Sequence, residues 1–138
     1  MVTSAEQLIA AEWGDAAPAL EIHIDPESLY VYADRDLLAP VLLNLLRNAG
    51  QACLGSETPR VALSGQLIRR GNVVISIADN GPGVPGDLAN KIFVPFYTTR
   101  KGGAGGGLAL ARQVMIAHGG FIRLAENGPD GATFTLTF

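Results

Sequence analysis

The stretch from Ile77 to Gly83 constrains the fold of this chain more than any other part of its sequence. It reads Ile-Ala-Asp-Asn-Gly-Pro-Gly and follows an apolar run, residues 73–77, that is rich in β-branched side chains. Such a run predicts a buried strand, so Asp79 is expected at its end, facing a cavity rather than bulk water. A carboxylate placed there needs a hydrogen-bond donor, because burying an unpaired charge is costly. The two glycines allow close approach of a flat ligand, and an adenine amino group is one candidate donor.

Two other interpretations of this stretch compete with a ligand site. Asp-Asn-Gly-Pro-Gly is also typical of an ordinary surface turn after a strand, and this alternative stays open on the stretch alone. Gly81, Gly83 and Gly86 also match the G-x-G-x-x-G pattern of dinucleotide-binding folds. That pattern must open a helix of a βαβ unit, and Pro85 with the short segment 87–92 leaves no room for one. A dinucleotide-binding fold is therefore excluded.

The length and composition favour one cytoplasmic domain. A chain of 138 residues can bury a core without disulfides, and its net charge of −3 gives no basic surface, which argues against a nucleic-acid partner. No apolar run reaches the ~18 residues of a membrane span and no signal peptide is visible, so direct membrane insertion is not expected. The single Cys53 is expected to be a small buried hydrophobe in a reducing compartment. Whether a longer parent protein is membrane-anchored stays open.

Apolar periodicity divides the chain into alternating helices and strands. Helices are predicted for residues 4–13, for a segment whose core-facing stripe runs from Leu38 to Ala52, and for residues 108–118, where Gly119 and Gly120 end the helix. Strands are predicted for residues 20–25, 29–33, 60–67, 72–78, 121–126 and 132–138. The first two strands are expected to pair as a hairpin, and so are the third and fourth. Pro40 fits the second helix only in its first turn.

The second predicted helix carries a polar stripe on an otherwise apolar segment. Asn44, Asn48 and Gln51 are spaced i, i+4 and i+7, which places them within about 60° of one another around the helix axis. An ordinary solvated face is one interpretation. The other is that their carbonyl oxygens hold a hard cation, such as Mg²⁺ bound to the phosphates of a nucleotide.

A basic, glycine-rich loop leads into the third predicted helix. Residues 98–107 contain Arg100, Lys101 and five glycines, and Leu108 follows. A glycine loop that feeds a helix N-terminus presents free N–H groups and the positive end of the helix dipole, which favours anion binding. The Gly-Lys-Ser/Thr ending of a Walker A loop is absent.

Five segments in this order resemble the ATP-binding catalytic domain of sensor histidine kinases, in the superfamily shared with gyrase, the heat-shock chaperone ATPases and the mismatch-repair ATPases. They are residues 41–49 (N box), 79–83 (first glycine box), 92–99 (F box), 103–110 (second glycine box) and 131–134 (last glycine box). The resemblance implies an α+β fold of the Bergerat type. In this two-layer α/β sandwich, a mixed, mostly antiparallel sheet of about five strands carries helices on one face.

The same resemblance implies that ATP binds between the N-box helix and the loop before Leu108. It implies that Asp79 accepts from the adenine amino group, that Asn48 and Asn44 hold Mg²⁺ and phosphates, and that Thr133 supports the adenine end through a water. The nucleotide-binding residues that it indicates are Asn44, Asn48, Gln51, Asp79, Gly81, Gly83, Arg100, Lys101, Gly103, Gly105, Gly107, Leu108 and Thr133.

The chain departs from the family pattern at Gln51, one of these residues, and at Ala52 and Gly106, which lie next to two of them. Gly106 stands where members usually carry Leu or Ile, which adds about 1 kcal/mol of backbone entropy to the loop. Gln51 stands where many members carry Lys, and Ala52 offers no aromatic ring for stacking. Arg100 and Lys101 are candidates to supply the missing charge.

No segment resembles the phosphoacceptor helix of these kinases. His23 lies on a predicted strand and His118 at a predicted helix end, and neither is followed by the acidic residue that the phosphoacceptor segment carries. Residues 1–138 are therefore expected to form one domain, a fragment of a larger homodimeric kinase. Its expected activity is transfer of the γ-phosphate of Mg·ATP to a histidine on a separate dimerisation domain, with a response regulator receiver domain acting downstream.

Two other functions within the superfamily are alternatives to this one. One is an ATP-gated clamp, but such proteins usually carry a catalytic Glu early in the N-box helix, where this chain has Asp36. The other is an anti-sigma-type serine kinase. The aromatic segment 92–99 favours the histidine kinase over both.

Overall fold

The computed structural model describes residues 19–25, 35–53, 57–67, 72–84 and 107–138. Its elements are β1 (Ala19–Asp25), α1 (Arg35–Ala52), β2 (Arg60–Leu67), β3 (Val73–Asp79), α2 (Gly107–Ala117), β4 (Phe121–Gly128) and β5 (Gly131–Thr137). The predicted helix of residues 4–13, the predicted strand of residues 29–33 and the F box lie outside the described residues. No helix in the described ranges is long and apolar enough to cross a membrane.

The five strands form one mixed sheet in the order β1-β2-β3-β5-β4. β1 runs parallel to β2, whereas the pairs β2–β3, β3–β5 and β4–β5 are antiparallel. The predicted hairpin of β2 and β3 and the mostly antiparallel sheet are confirmed. The predicted hairpin partner of β1, residues 29–33, lies outside the described ranges. Within them β1 pairs along its whole length with β2.

Both helices pack on one face of the sheet and enclose the core. The stripe of α1 residues that the sequence predicts to face the core is buried except for the half-buried Ala52. The buried core side chains come from α1, β2, β3, α2, β4 and β5 and include Leu38, Val41, Leu42, Leu45, Val61, Leu63, Ile75, Ile77, Val114, Met115, Ile122 and Leu136. Burying each of the Leu and Ile side chains contributes about 1.5–3 kcal/mol, so this layer holds the helices in place.

The prediction for Pro40 is wrong. Helix α1 begins at Arg35, so Pro40 is inside the helix and not in its first turn. Proline has no N–H to donate to the carbonyl one turn earlier. Pro40 itself is exposed, while the flanking Leu38 and Val41 are buried. Packing of that buried stripe therefore keeps the segment helical despite the missing hydrogen bond.

Helix α2 ends where the sequence predicts, at two glycines. The N–H of Gly120 donates to the carbonyl of Met115 (2.9 Å) and that of Gly119 to the carbonyl of Ile116 (3.0 Å), with Gly119 at φ +77°. This is the Schellman pattern, which satisfies the last carbonyls of a helix. His118 Nδ1 donates to the carbonyl of Val114 at 2.7 Å. This hydrogen bond holds the imidazole ring against the last turn of α2.

Candidate functional site

The C-terminal end of β3 leads into residues 79–84, hereafter the Asp79 turn. The N–H of Gly81 donates to Asp79 Oδ1 at 2.9 Å, which fixes the carboxylate against its own turn. Gly81 is buried, and a Cβ there would overlap the carbonyl oxygen of Ala52. The turn therefore rests directly on the last residues of α1, and any residue larger than glycine would push the two apart.

Cys53 is a buried thiol directly after α1. The thiol is fully buried and donates to the carbonyl of Gly50 at 3.5 Å. Burial, and then the negative charge of Asp79, raises the pKa of this thiol. The thiol therefore stays protonated at neutral pH, and the prediction of a small buried hydrophobe is confirmed. Asp79 continues the alternation of the buried Ile75 and Ile77 along β3, so its side chain lies on the α1 side of the sheet.

Asn80 ties the first half of the Asp79 turn to the start of β2. Its Nδ2 donates to the carbonyl of Thr58 at 2.7 Å, and its Oδ1 accepts from the N–H of Arg60 at 2.9 Å. The backbone N–H of Asn80 also donates to the carbonyl of Arg60 at 3.3 Å. Both polar ends of this side chain are thus used in holding the turn.

Residues 127–131, hereafter the β4–β5 turn, lie against the second half of the Asp79 turn. Asn127 Oδ1 accepts from the N–H of Val84 and its Nδ2 donates to the carbonyl of Val84, both at 2.7 Å. Gly83 has φ +81°, and a Cβ there would overlap the carbonyl oxygen of Gly128. A Cβ at Gly131, at φ +140°, would overlap the carbonyl oxygen of Asp79. Glycine at these two positions is what allows the two backbones to touch.

A cavity of about 350 Å³ opens between these turns. Its lining residues are Asp79, Glu126, Asn127, Gly128, Pro129, Asp130, Gly131 and Thr133. Three of them are carboxylates and none is Lys or Arg. Such a lining suits a neutral group that donates hydrogen bonds, such as the amino group of a base, and repels phosphate.

The polar stripe predicted on the second helix lies on α1. Asn44 and Asn48 are half-buried and Gln51 is exposed. Arg47 Nη1 donates to Asn44 Oδ1 at 3.0 Å, so a cation at Asn44 would have to displace a guanidinium group.

Asn48 lies one helical turn before Ala52, the residue that touches the Asp79 turn. No three His, Cys, Asp or Glu side chains in the described ranges are grouped so that they could hold a metal. Amide oxygens together with nucleotide phosphates and water are a suitable set for Mg²⁺.

Thr133 lies on a different face of the sheet from the Asp79 carboxylate. It pairs with Ala78, and directly paired residues of antiparallel strands point to the same face. Asp79 follows Ala78 in β3, so its side chain points to the opposite face, on which Ile77 is buried. On β5 that face carries Ala132, which is also buried. Thr133 does line the cavity, and its support of the adenine end stays a prediction.

The second glycine box is described only where it enters α2. Gly107 is the first residue of that helix, and Leu108 packs against the core. Of the other predicted phosphate-binding residues, Arg100, Lys101, Gly103 and Gly105 lie outside the described ranges. Asn127 could not be found from the sequence, because its contact with Val84 joins residues 43 positions apart and no local pattern predicts it.

The sequence profile of the family described as "Histidine kinase-, DNA gyrase B-, and HSP90-like ATPase" matches residues 33–138. Among curated proteins, the chain is 32% identical over 136 residues to the C4-dicarboxylate transport sensor protein DctB of Rhizobium meliloti (strain 1021), covering 99% of this chain and 22% of that protein. It is 44% identical over 113 residues to the signal transduction histidine-protein kinase AtoS of Escherichia coli (strain K12), covering 82% of this chain and 18% of that protein. The chain thus spans about a fifth of the length of these relatives.

Solved structures of histidine kinases share the fold. The nucleotide-free catalytic domain of histidine kinase ThkA matches with a TM-score of 0.87 and 30% identity, covering 99% of this chain and 88% of that one. Full-length ShkA in complex with AMPPNP matches with a TM-score of 0.84 and 28% identity, over 98% of this chain and 28% of that one. ThkA in complex with the response regulator TrrA matches with a TM-score of 0.81 and 29% identity, over 99% of this chain and 38% of that one. The chain belongs to the family of histidine kinase-, DNA gyrase B- and HSP90-like ATPases, and within it to the ATP-binding catalytic domains of sensor histidine kinases.

Proposed function

We propose that this chain binds Mg·ATP and supplies its γ-phosphate to a histidine on a separate dimerisation and phosphoacceptor domain. In this proposal the chain is one domain of a longer, homodimeric kinase that passes the phosphate on to a response regulator. The observation that carries the proposal is the Asp79 carboxylate, which lies on the α1 side of the sheet in a turn packed against the end of α1. The complexes of ShkA with AMPPNP and of ThkA with TrrA support it as relatives.

Asp79 has the chemistry to recognise adenine. A carboxylate offers about four acceptor sites on two oxygens. Accepting the N–H of Gly81 at 2.9 Å leaves capacity for the exocyclic amino group of the base. The cavity between the two turns contains no Lys or Arg in its lining, so it is unsuited to the phosphates.

The phosphates would lie towards α1 and the N-terminus of α2. Gly107 begins α2, so this end of the helix offers free N–H groups and the positive end of its dipole. Asn48 is the preferred metal ligand, and Asn44 joins it if Arg47 moves away. Neutralisation of phosphate charge is the chemistry that Mg²⁺ supplies when bound. Gln51, Arg100, Lys101, Gly103 and Gly105 are proposed as further phosphate contacts on the family pattern alone.

Within the described ranges no histidine is suited to accept the phosphate. The His23 side chain is 73% exposed on β1, and His118 is bonded to the helix it ends. Catalysis by this domain would therefore consist mostly of positioning ATP, with the acceptor domain bringing the nucleophile and its general base. The ATP-gated clamp and the serine kinase are weaker alternatives, because the curated relatives described above are sensor histidine kinases.

Incubation with labelled ATP tests the proposal. The 138-residue chain alone is expected to bind Mg·ATP without labelling itself. Label should appear when the dimerisation domain of the parent protein is added, and the product should be acid-labile phosphohistidine. Because a tethered acceptor has an effective concentration in the mM range, mixing separate domains at µM levels should give slow transfer that rises with acceptor concentration.

Two results would contradict this expectation. Acid-stable phosphoserine would favour the serine kinase. Efficient self-labelling of a His23→Ala, His118→Ala double variant would exclude both histidines of the chain as acceptors and leave no role for an external histidine.

Replacing Asn48 with Ala should separate the metal end of the site from the base end. We expect Mg·ATP affinity to fall about tenfold, because an oxygen ligand of the metal is lost, while adenosine affinity stays unchanged. Titration calorimetry with both ligands measures the difference. Asn72→Ala is the matched control, since Asn72 is exposed just before β3, at the end opposite Asp79. Equal losses for the two ligands would mean that the substitution had damaged α1 instead.

A further inference from the structure

The β4–β5 turn holds the Asp79 turn through one side chain. We infer that Asn127 is a positioning residue of the nucleotide site, which keeps the Asp79 turn in its binding conformation. The inference rests on the proposed function and adds to it a residue from outside the five family motifs that the sequence displays.

The geometry of the contact is that of a paired amide. Asn127 both accepts from the N–H of Val84 and donates to its carbonyl, each at 2.7 Å. Rotating the side-chain amide by 180° would set donor against donor and acceptor against acceptor, so the two bonds together fix its orientation. The side-chain amide thus bonds both the N–H and the carbonyl of Val84, as the backbone of a paired strand does, although residues 84 and 127 belong to separate turns.

The Asp79 turn needs such a partner because of its composition. It contains Gly81 and Gly83, and glycine loses more conformational freedom on ordering than any other residue. Its first half is held by Asn80, through Thr58 and Arg60. Its second half meets Asn127. Between these two anchors the N–H of Gly81 reaches Asp79 Oδ1, so the conformation of the turn sets where the carboxylate points.

Asn127 contributes to this arrangement without being part of the core. Its side chain is exposed, and it is absent from the buried hydrophobic cluster. Removing it should therefore change the turn far more than the stability of the whole fold. This separation makes a positioning role measurable.

The test is titration calorimetry on the full chain with two ligands, Mg·ATP and adenosine. Asn127→Ala is expected to lower both affinities by the same factor, about tenfold, because the disturbed carboxylate serves the part that both ligands share. The ratio of the two affinities should stay at the wild-type value, in contrast to Asn48→Ala. Asn72→Ala, the same change at an exposed site at the far end of β3, should leave both affinities unchanged. Hydrogen exchange at the Val84 N–H should be faster in Asn127→Ala than in the wild type.

Each other outcome is informative. Wild-type affinities in a folded Asn127→Ala protein would overturn the inference alone, and so would a loss confined to Mg·ATP. A wild-type chain that binds neither ligand would overturn the proposed function and, with it, this inference. If the alanine variant does not fold, Asn127→Asp replaces it: its carboxylate still accepts from the N–H of Val84, but its second oxygen faces the Val84 carbonyl, so the donated bond becomes a repulsion. An equal loss for both ligands is again expected, and unequal losses would count against the inference.

Discussion

Replacement of Asp79 by Asn should abolish adenine-nucleotide binding in a protein that is still folded. Two donors, the N–H of Gly81 and the adenine amino group, point at this side chain in the proposed complex. A carboxylate accepts from both on different oxygens, whereas an amide has one acceptor oxygen and turns its own NH₂ group towards the other donor. Losing a charge-assisted hydrogen bond and leaving a mismatched partner costs on the order of 2–4 kcal/mol, or about 30- to 1000-fold in affinity.

Titration calorimetry with ATP measures this loss, and circular dichroism with a thermal melt checks the fold. Glu57→Gln makes the same change from carboxylate to amide at an exposed position before β2, and it should bind ATP as the wild type does. ATP affinity at the wild-type level in folded Asp79→Asn would mean that Asp79 does not recognise adenine.

Replacement of Gly83 by Ala should destabilise the protein by about 2–4 kcal/mol and weaken nucleotide binding with it. Two costs add: the left-handed backbone at φ +81°, about 1–2 kcal/mol, and the overlap of the new Cβ with the carbonyl oxygen of Gly128. Gly119 provides a matched control, because it has nearly the same φ, +77°, and nothing within 4 Å of its Cβ position. Gly119→Ala should therefore carry only the backbone cost.

Urea denaturation of the two variants gives the comparison. The difference between them isolates the contact between the Asp79 turn and the β4–β5 turn. If both variants lose the same stability, those two turns are not in contact in solution.

Elements with a strong local pattern could be predicted from the sequence. The alternation of β2 and β3 and the i, i+3, i+4 stripe of α1 follow from burial on one face, and each is visible within a window of a few residues. The end of α2 could also be predicted from a local signal, because a helix often ends at a glycine with a left-handed backbone, here Gly119. Asp79 could be found because a β-branched strand stops there at a carboxylate.

Features that depend on how distant segments meet could not be predicted. The face on which Thr133 lies follows from its pairing with Ala78, and a register shift of one residue would reverse it. Arg47 is three residues from Asn44, but whether its guanidinium bonds that amide or turns to solvent is a rotamer choice that spacing leaves open. Pro40 was misplaced because local propensity opposes proline inside a helix, whereas burial of Leu38 and Val41 decides the outcome.

The tight contact between the two turns also limits how the molecule can be engineered. A hairpin turn at the surface is usually the preferred site for an inserted tag or reporter, because its length is free to vary. Here Gly131 lies against the carbonyl of Asp79, and Gly128 against Gly83, so the length of the β4–β5 turn is fixed by the turn that it touches. An extra residue between Asn127 and Gly131 would separate those backbones and open the site. In this chain an exposed loop therefore has the sequence constraints of a core element.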